Sequence, residues 1–498
     1  MPVGTGIAES TVEEALLEWF DALGYQVLGG SEIAPGSLTG ERNDYRDVIL
    51  AGRLRGALKA LNPGLHAEVL DEAFRKVVTH DSPSLVGNNR SFHRMLVDGA
   101  AVETRPGADG VTAKTVRLVD FDDPEANDWL VVNQFSVRGS RQARRPDVLV
   151  FVNGIPLADI ELKDPADEDA TIWTAYDQIQ TYKSEYGIPQ LMGYNELCVV
   201  SDGPEARLGS LTAPKEWFLP WRTIEGEELA SPLMTGLEVL TAGVFEKGRF
   251  LDLLRSFVVF EDDGANVTKK IAGYHQFHAT RRAVETTLEA ALPGGDRRGG
   301  VVWHTQGSGK SLTMAFFAGK LIRRPELENP TIVALTDRID LDGQLFGVFS
   351  RCHELLRQNP AQAETRAQLR ELLDRPAGGV VFTTIQKFMP EERGDRFPAL
   401  TERRNVVVIA DEAHRSQYDF IDGFAASTTS SEPSRTTPWF RSTTRAAWPS
   451  SISRRRRSRA STRASRRSPR ARRSGAGRSS RRSGPRWSPW SAPGTGCR

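Results

Sequence analysis

Cysteine is scarce in this chain of 498 residues, which has only Cys198, Cys352 and Cys497. The three lie far apart with no paired spacing, which argues against a disulfide framework and against a zinc site. No apolar run approaches the roughly 18 residues that are needed to cross a bilayer. The first residues also lack the basic segment followed by an apolar one that marks a secretory signal. These absences predict a cytoplasmic protein.

The segment 425–498 lacks lysine, leucine and valine altogether. It has 19 arginines and one acid, Glu432, so its net charge is +18 whereas the remainder carries −17. With almost no branched aliphatic side chains to bury, it is expected to be disordered. An arginine-rich arm of this kind could bind nucleic acid. We favour out-of-frame translation from about codon 425, because GC-rich codons read in a wrong frame encode this mixture.

The first 424 residues have the composition of a globular protein, and the whole chain is 39% hydrophobic and 26% charged. Apolar periodicity predicts a first helix with a capping box formed by Ser10 and Glu13. Further helices are expected over residues 66–78 and 170–186, and strands around 116–119, 130–137 and 197–200. From about Phe260, apolar runs at 300–304, 331–336, 379–384 and 405–410 alternate with helical patterns. That alternation predicts an α/β fold with a parallel sheet covered on both faces.

The segment 145–163 consists of two apolar runs on either side of Asn153-Gly154, which predicts a β-hairpin. Asp147 begins its first strand, and Glu161 and Lys163 lie two apart on one face of its second strand. Phosphodiester cleavage uses carboxylates that hold Mg²⁺, and a nearby lysine can orient water or polarise the phosphate. These residues predict a metal-dependent nuclease with Asp147 and Glu161 as metal ligands. The alternative is an edge hairpin with charged side chains on its solvent face.

The length of the hairpin loop decides whether the two carboxylates can meet. A two-residue loop at Asn153-Gly154 pairs Val152 with Ile155 and places Asp147 and Glu161 on opposite faces. A three-residue loop with a bulge, or an equivalent bend, places them on the same face. The nuclease interpretation therefore requires an odd-length loop or such a bend.

A second motif begins with the apolar residues 301–303 and continues into a glycine-rich loop and a helix. Glycines allow backbone N–H groups to turn towards a phosphate, a lysine can pair with the β- and γ-phosphates, and a serine hydroxyl can ligate Mg²⁺. The strict pattern has glycine where this chain has His304. The expected nucleotide contacts are Thr305, Gly307, Ser308, Gly309, Lys310 and Ser311.

The apolar run 405–410 leads into Asp411-Glu412-Ala413-His414. Asp411 at a strand end can hold Mg²⁺ through water, and Glu412 can orient the water that attacks the γ-phosphate. Both motifs in this order predict an ATP-driven motor. The Asp-Glu-Ala-His sequence is typical of helicase superfamily 2, and Gln276 lies where such enzymes often contact adenine.

Pro146-Asp147 together with Glu161-Leu162-Lys163 resembles the PD-(D/E)xK nuclease signature. Gln178 and Tyr182, four residues apart on the next predicted helix, resemble the Gln-x-x-x-Tyr element of its RecB-like branch. In that branch an acid on an earlier helix also helps to hold the metal. We assign this role to Glu72, with Glu68 as the second choice.

These elements, together with the segments 304–314, 336–344, 383–386 and 411–416, resemble the restriction (R) subunit of type I restriction–modification enzymes over roughly residues 1–424. The resemblance implies a PD-(D/E)xK endonuclease domain over 1–255 and a first, incomplete RecA-like lobe over 256–424. It implies ATP and Mg²⁺ as cofactors and a type I site-specific deoxyribonuclease that translocates double-stranded DNA and cleaves it when unmethylated. Its partners would be the modification and specificity subunits of the same system.

The sequence departs from that family after Phe424, where the family continues with a second RecA-like lobe, its arginine finger and a helical region. We therefore expect a truncated chain that does not translocate DNA. Two alternatives stay open. One is a fragment of a superfamily 2 DNA-repair motor with a non-catalytic N-terminal domain, and the other is an inactive pseudogene product.

Overall fold

The computed structural model describes residues 9–104, 112–167, 171–336, 339–388, 400–401 and 403–411, so the segment 425–498 lies outside it. The helices in chain order are α1 (Glu9–Ala22), α2 (Ala51–Leu61), α3 (Ala67–Val78), α4 (Leu85–Asp98), α5 (Ile172–Lys183), α6 (Pro189–Met192), α7 (Gly236–Val244), α8 (Lys247–Ser256), α9 (Tyr274–Ala291), α10 (Lys310–Ile322), α11 (Ile339–Arg351), α12 (His353–Leu356) and α13 (Arg366–Leu373). None of these described helices is both long and apolar enough to cross a bilayer.

The strands in chain order are β1 (Gln26–Gly29), β2 (Ala100–Thr104), β3 (Thr112–Val116), β4 (Trp129–Asn133), β5 (Val137–Arg138), β6 (Ala143–Arg144), β7 (Val148–Val152), β8 (Ile155–Leu162), β9 (Leu197–Ser201), β10 (Ala206–Gly209), β11 (Val258–Asp262), β12 (Val267–Ile271), β13 (Thr331–Thr336), β14 (Ala361–Gln362), β15 (Val380–Thr384) and β16 (Val406–Ala410). They form a six-stranded sheet, a four-stranded sheet and three two-stranded hairpins. The protein is therefore a mixed α/β structure.

The six-stranded sheet has the order β1-β4-β7-β8-β9-β10. Its β1–β4 and β8–β9 pairs are parallel, and its other pairs are antiparallel. Every residue of β7, β8 and β9 is buried, since α1 and α5 pack on this part of the sheet. Strands that are covered on both faces are nearly continuous apolar runs. The few carboxylates within these strands therefore lie in an environment where an unpaired charge is costly.

The predicted helices and the strands expected at 130–137 and 197–200 are present, with shifted limits. The strand expected at 116–119 is wrong, because β3 ends at Val116 and residues 117–119 form no strand. The helix expected over residues 170–186 is the shorter α5, and the strand expected at 130–137 ends at Asn133 because Gln134 has a φ of 53°. The predicted capping box is wrong. The helix includes Ser10, and the side chain of Glu13 accepts hydrogen bonds from Asn133 and Gln134 instead.

The four-stranded sheet is parallel throughout, with the order β14-β15-β13-β16. Helices α11 and α12 lie between β13 and β14 in sequence, and α13 lies between β14 and β15, which confirms the predicted alternation. The strand expected at residues 300–304 is not formed, and Val301 and Trp303 are 77% and 88% exposed. Among the described strands β16 pairs only with β13, so its other edge is not paired with a described strand.

Polar side chains of α4 and β12 join the two sheet regions. Arg90 on α4 donates hydrogen bonds to Asp262 at 2.7 Å and to Glu354 at 3.1 Å. Lys269 on β12 donates to Glu196 at 2.5 Å, and both side chains are fully buried. Buried ion pairs of this kind depend on exact partner geometry, so the residues of this junction hold one sheet region against the other.

Candidate nuclease and nucleotide sites

The β7–β8 hairpin turns through two residues. Asn153 and Gly154 have φ values of 54° and 78°, and Val152 pairs with Ile155. Two successive residues with positive φ are typical of a type I′ turn, for which Asn-Gly is the preferred sequence. The three-residue loop considered above is therefore absent, and the nuclease interpretation depends on a bend elsewhere in the hairpin.

That bend is a β-bulge in β8. The pairing shifts by one residue at Leu157, so that Val148 pairs with Ile160 further along the hairpin. Asp147, immediately before Val148, is thereby brought opposite Glu161. Because an extra residue reverses the face of every side chain that follows it, the bulge places the two carboxylates on the same face of the sheet.

The Asp147 and Glu161 carboxylates differ in their surroundings. Asp147 accepts a hydrogen bond from the backbone N–H of Leu162 at 2.8 Å. Glu161 is fully buried, and neither of its oxygens accepts a hydrogen bond from the residues that the structure describes. Burial, with the charges of Asp159 and Asp147 adding to it, raises the pKa of Glu161 well above its usual value. A carboxylate of this kind is suited to binding a cation.

Asp159 is a site residue that the sequence reasoning missed. It lies two residues before Glu161 on the same face, is fully buried, and has no hydrogen-bond partner for either oxygen among the described residues. Burial raises its pKa to about 8, with the charge of Asp147 adding to the effect and that of Lys183 opposing it. The period-two spacing that identified Glu161 and Lys163 already included this position.

Gln178, Tyr182 and Lys163 surround these carboxylates. The amide of Gln178 donates to the Tyr182 hydroxyl at 2.7 Å. Burial and the charge of Glu161 raise the pKa of the Tyr182 hydroxyl, so that hydroxyl lies near the carboxylate. The Lys163 ammonium donates to the backbone carbonyl of Leu162 at 2.6 Å, and its charge lowers the pKa of Asp147 against the larger effect of burial. The structure thus brings together four of the predicted nuclease residues around Asp147.

Glu72 is not brought to this cluster. It forms an ion pair with Arg75 at 2.6 Å on α3, a helix that packs on α2, β2 and β3, and Glu68 is exposed on the same helix. The acids from an earlier helix that come near the cluster are Glu9 and Glu13 on α1, and Glu9 is close enough for the charge of Asp147 to add to burial in raising its pKa. Glu13 makes the more direct contacts. Its charge raises the pKa of Asp147, and it binds Gln134, whose backbone N–H donates to the Asp147 carbonyl. The helix packs directly on β8, which the sequence pattern did not indicate.

In the described ranges, no group of three or more His, Cys, Asp or Glu side chains is arranged to hold a metal ion. Mg²⁺ usually keeps several waters and takes only one or two protein carboxylates together with phosphate oxygens. Asp147 and the unpartnered Glu161 provide that number of hard oxygen donors. The residues present therefore fit Mg²⁺ with water and phosphate as the remaining ligands.

The glycine-rich loop has the backbone geometry that its sequence predicts. Gly307 and Gly309 have φ values of 81° and 79°, and Gly309 precedes the first residue of α10, Lys310. A Cβ added to Gly307 would meet no atom within 4 Å, so the loop is open on that side. The Ser308 hydroxyl donates to the Thr305 carbonyl at 2.8 Å. Backbone N–H groups at the start of a helix are suited to binding phosphate.

Gln276 holds this loop from the neighbouring helix α9. Its side-chain amide donates to the Gly309 carbonyl at 3.1 Å, and its oxygen accepts from the Gly273 N–H at 3.0 Å. In the same helix, the His275 ring nitrogen lies 3.0 Å from the Ser308 carbonyl. The structure therefore places Gln276 at the glycine-rich loop.

Two further predicted residues lie near the strand ends and the helix start. Asp411 follows β16, and its backbone N–H donates to the Leu335 carbonyl at 2.9 Å. Ser311 is the second residue of α10. Glu412 lies outside the described residues.

Both regions of the chain match known protein families. Residues 6–217 match the family described as type I restriction enzyme R protein N terminus, and residues 275–434 match the SWI2/SNF2 ATPase family. The endonuclease subunit of the type I restriction enzyme HindI from Haemophilus influenzae is 44% identical over 418 residues, which are 83% of this chain and 39% of that protein. A putative type I restriction enzyme endonuclease subunit, MjaIXP, from Methanocaldococcus jannaschii is 37% identical over 430 residues, 82% of this chain and 40% of that protein. The chain thus spans about 40% of the length of these two curated relatives.

Proposed function

Since this chain belongs to the family of type I restriction enzyme R subunits, we propose that it carries a Mg²⁺-dependent endonuclease site of the PD-(D/E)xK type within residues 1–255. We propose further that residues 256–424 contain a RecA-like, superfamily 2 lobe that binds ATP. The whole protein would act on double-stranded DNA as a type I site-specific deoxyribonuclease. It would do so with the modification and specificity subunits of its system, using ATP hydrolysis to translocate unmethylated DNA.

The observation that carries the nuclease proposal is the bulge at Leu157. It places Asp147 opposite Glu161 although the hairpin loop has only two residues. A solvent-facing edge hairpin would not bury Glu161 completely, and in the described part of the chain no group lies at hydrogen-bond distance and geometry from either of its oxygens. Burying an unpaired carboxylate costs several kcal/mol, and a bound cation would offset that cost.

In the proposed mechanism, Asp147 and Glu161 would hold Mg²⁺. Glu13, on α1, would add a negative charge beside Asp147. When bound, the ion would stabilise charge on the scissile phosphate and favour ionisation of the attacking water. Lys163 would orient that water or polarise the phosphate. The hydrogen bond from Gln178 would hold the Tyr182 hydroxyl in its position near Glu161.

In the nucleotide site, the backbone N–H groups of residues 307–311 would bind the phosphates of ATP, and Lys310 would pair with the β- and γ-phosphates. Ser311 and Asp411 would hold the accompanying Mg²⁺, and Glu412 would orient the attacking water. Gln276 would set the position of the loop through Gly309. Thr305 would support the loop through Ser308.

The test is nicking of supercoiled plasmid by the full chain in Mg²⁺ and in EDTA. Glu161→Gln and Asp147→Asn should each lower the Mg²⁺-dependent rate by about 10³-fold or more, because each removes a donor to the ion and metal assistance contributes several kcal/mol. The matched control is Glu18→Gln, which makes the same chemical change at an exposed position of α1 and should nick like the wild type. Unchanged nicking by Glu161→Gln would rule out this site.

A further inference from the structure

The short hairpin β5–β6 leads directly into Pro146-Asp147 and is strongly basic. Its residues 138–145, named here the arginine hairpin, have four arginines and no acid in eight positions. Three of them are exposed and the fourth is half-buried. They are Arg138, Arg141, Arg144 and Arg145.

These arginines differ from several other arginines of the fold in their ion pairing. Arg53, Arg90 and Arg255 are each paired with carboxylates at 2.7 Å. Within the part of the chain that the structure describes, no arginine of the arginine hairpin forms an ion pair with an acid. The Nε group of Arg144 is buried and has no hydrogen-bond partner there. The hairpin therefore presents cations whose charge is not neutralised by the described protein.

The arginine hairpin is docked on the loop that follows α5. Gly139 lies so close to this loop that an added Cβ would stand 2.0 Å from the Gly187 carbonyl oxygen, so only glycine fits. The Ser140 hydroxyl donates to the Glu185 carbonyl at 2.8 Å. The guanidinium of Arg141 lies 3.8 Å from the centre of the Tyr186 ring. The backbone of the hairpin and the guanidinium of Arg141 are thus held in place before any ligand arrives, which lowers the entropy cost of binding.

The arginine hairpin adjoins the proposed nuclease site in two ways. Arg145 is two residues before Asp147, and two residues of chain span at most about 7 Å. The loop on which the hairpin rests begins directly after Lys183, the last residue of α5, the helix that carries Gln178 and Tyr182. The arginine hairpin therefore adjoins Asp147 along the chain, and it adjoins the helix of Gln178 and Tyr182 through the loop on which it rests.

We propose that the arginine hairpin binds the phosphate backbone of the duplex DNA that the nuclease site cuts. Guanidinium groups match phosphate geometry, and contacts to phosphates position a duplex without reading its sequence. Four cations on one short hairpin fit successive phosphates better than a single small anion. This inference rests on the proposed nuclease function and adds to it the surface that orients the substrate.

The experiment measures binding of a short duplex DNA to the full chain by fluorescence anisotropy at several salt concentrations, without Mg²⁺. The variant is Arg138→Gln/Arg141→Gln/Arg145→Gln, which leaves the half-buried Arg144 in place. The control, Lys59→Gln/Arg75→Gln/Lys114→Gln, removes the same charge from exposed positions on α2, α3 and β3. The arginines beyond residue 424 are common to all these proteins and cancel in the comparison.

Each lost phosphate contact should lower the slope of log affinity against log salt by about 0.9. We expect the hairpin variant to lose roughly 2–3 units of slope and at least about tenfold in affinity at low salt, and the control to lose neither. The matching Arg→Lys triple variant keeps the charge and should restore the slope, which excludes misfolding as the cause. A photo-cross-linking residue in place of Gln142 should attach to the duplex, whereas the same residue in place of Lys59 should not.

Equal binding by the hairpin variant and its control would overturn the proposal, and so would a wild-type chain that does not bind duplex DNA. The outcome is separate from that of the nuclease proposal. If the wild type fails to nick plasmid while the hairpin variant loses affinity and slope, the surface stands and the nuclease site fails. If Glu161→Gln abolishes nicking while the hairpin variant binds like the control, the nuclease site stands and the arginine hairpin is not the DNA-binding surface.

Discussion

The two candidate sites of this protein are built in opposite ways. In the six-stranded sheet, Asp159 and Glu161 are fully buried, and Asp147 joins them from another strand. In the second region, Gly307 is exposed and open on one side, and Val301 and Trp303 before it are 77% and 88% exposed. The first site therefore depends on how two strands are paired, whereas the second is formed by consecutive residues of one loop.

This difference shows which changes each site tolerates. A change in strand register moves every later side chain to the other face, so the carboxylate site should be sensitive to a single inserted or deleted residue. A phosphate loop depends on local backbone angles and on the helix that follows it. Changes in one region should thus leave the other intact, except where they disturb the buried junction between them.

Deletion of Leu157 should have the largest effect. Without the bulge, Glu161 and Lys163 turn to the opposite face from Asp147, so Mg²⁺-dependent nicking should fall by about 10³-fold or more, as for loss of a metal ligand. The matched control is Leu157→Ala, which keeps the residue count. It should cost about 2–5 kcal/mol of stability but still nick at a temperature where it is folded. Nicking by the deletion variant would show that the bulge does not form the site.

Breaking the junction should have the next largest effect. Burial alone would raise the pKa of Glu196, but the charges of Lys269 and His93 hold it below its usual value. Lys269→Met removes one partner and leaves a buried carboxylate, which typically costs about 3–5 kcal/mol. Urea unfolding measures this loss. The double variant Lys269→Met/Glu196→Leu should recover most of it, and a double variant as unstable as the single one would contradict the pairing.

Lys310→Ala should affect only the second region. A hydrogen bond to a charged group contributes roughly 1.5–3 kcal/mol, so affinity for a fluorescent ATP analogue in Mg²⁺ should fall by about 10- to 100-fold. Arg298→Ala, at an exposed position before the loop, is the control and should bind normally. Nicking of plasmid by Lys310→Ala should equal that of the wild type. Unchanged nucleotide affinity would show that this loop is not the site.

The last prediction concerns the dependence of stability on pH. Burial raises the pKa of Asp159 to about 8, whereas an unfolded aspartate titrates near about 3.9. As pH rises between these values, the unfolded state has released its proton and the folded state still holds it, so stability falls. In EDTA, the stability of Asp159→Asn relative to the wild type should therefore be higher at pH 8 than at pH 5. Asp21→Asn, at an exposed position, should show no such gain, and a gain that is equal at both pH values would contradict the burial argument.

The sequence predicted more of the fold than of the contacts within it. Continuous apolar runs predicted β7, β8 and β9, because strands covered on both faces have few polar residues. The run at 300–304 has the same character, but it forms no strand, and Val301 and Trp303 stay exposed. Period and composition identify a segment that can form a strand, whereas pairing requires a neighbouring strand edge.

The same distinction applies to the nuclease residues. Glu161 and Lys163 were found by their spacing on one strand, and Gln178 and Tyr182 by one turn of a helix, which the structure joins through a hydrogen bond. Glu72 was predicted to be the acid from an earlier helix, but the structure does not bring it to the cluster. Nothing in the local sequence indicates which helix packs on β8. That helix is α1, which carries Glu13 to the region of Asp147.

The sequence by itself determined the local chemistry of this protein: the Asn-Gly turn, the glycine geometry before Lys310, and the carboxylates and lysine of the second hairpin strand. These follow from neighbouring residues, whose backbone preferences act over a few positions. Only the tertiary structure decided that Asp147 faces Glu161, that Asp159 lies unpartnered beside them, and that Lys269 neutralises Glu196. The reason is physical, since burial and long-range pairing depend on which elements meet, and a one-residue bulge is enough to change the outcome.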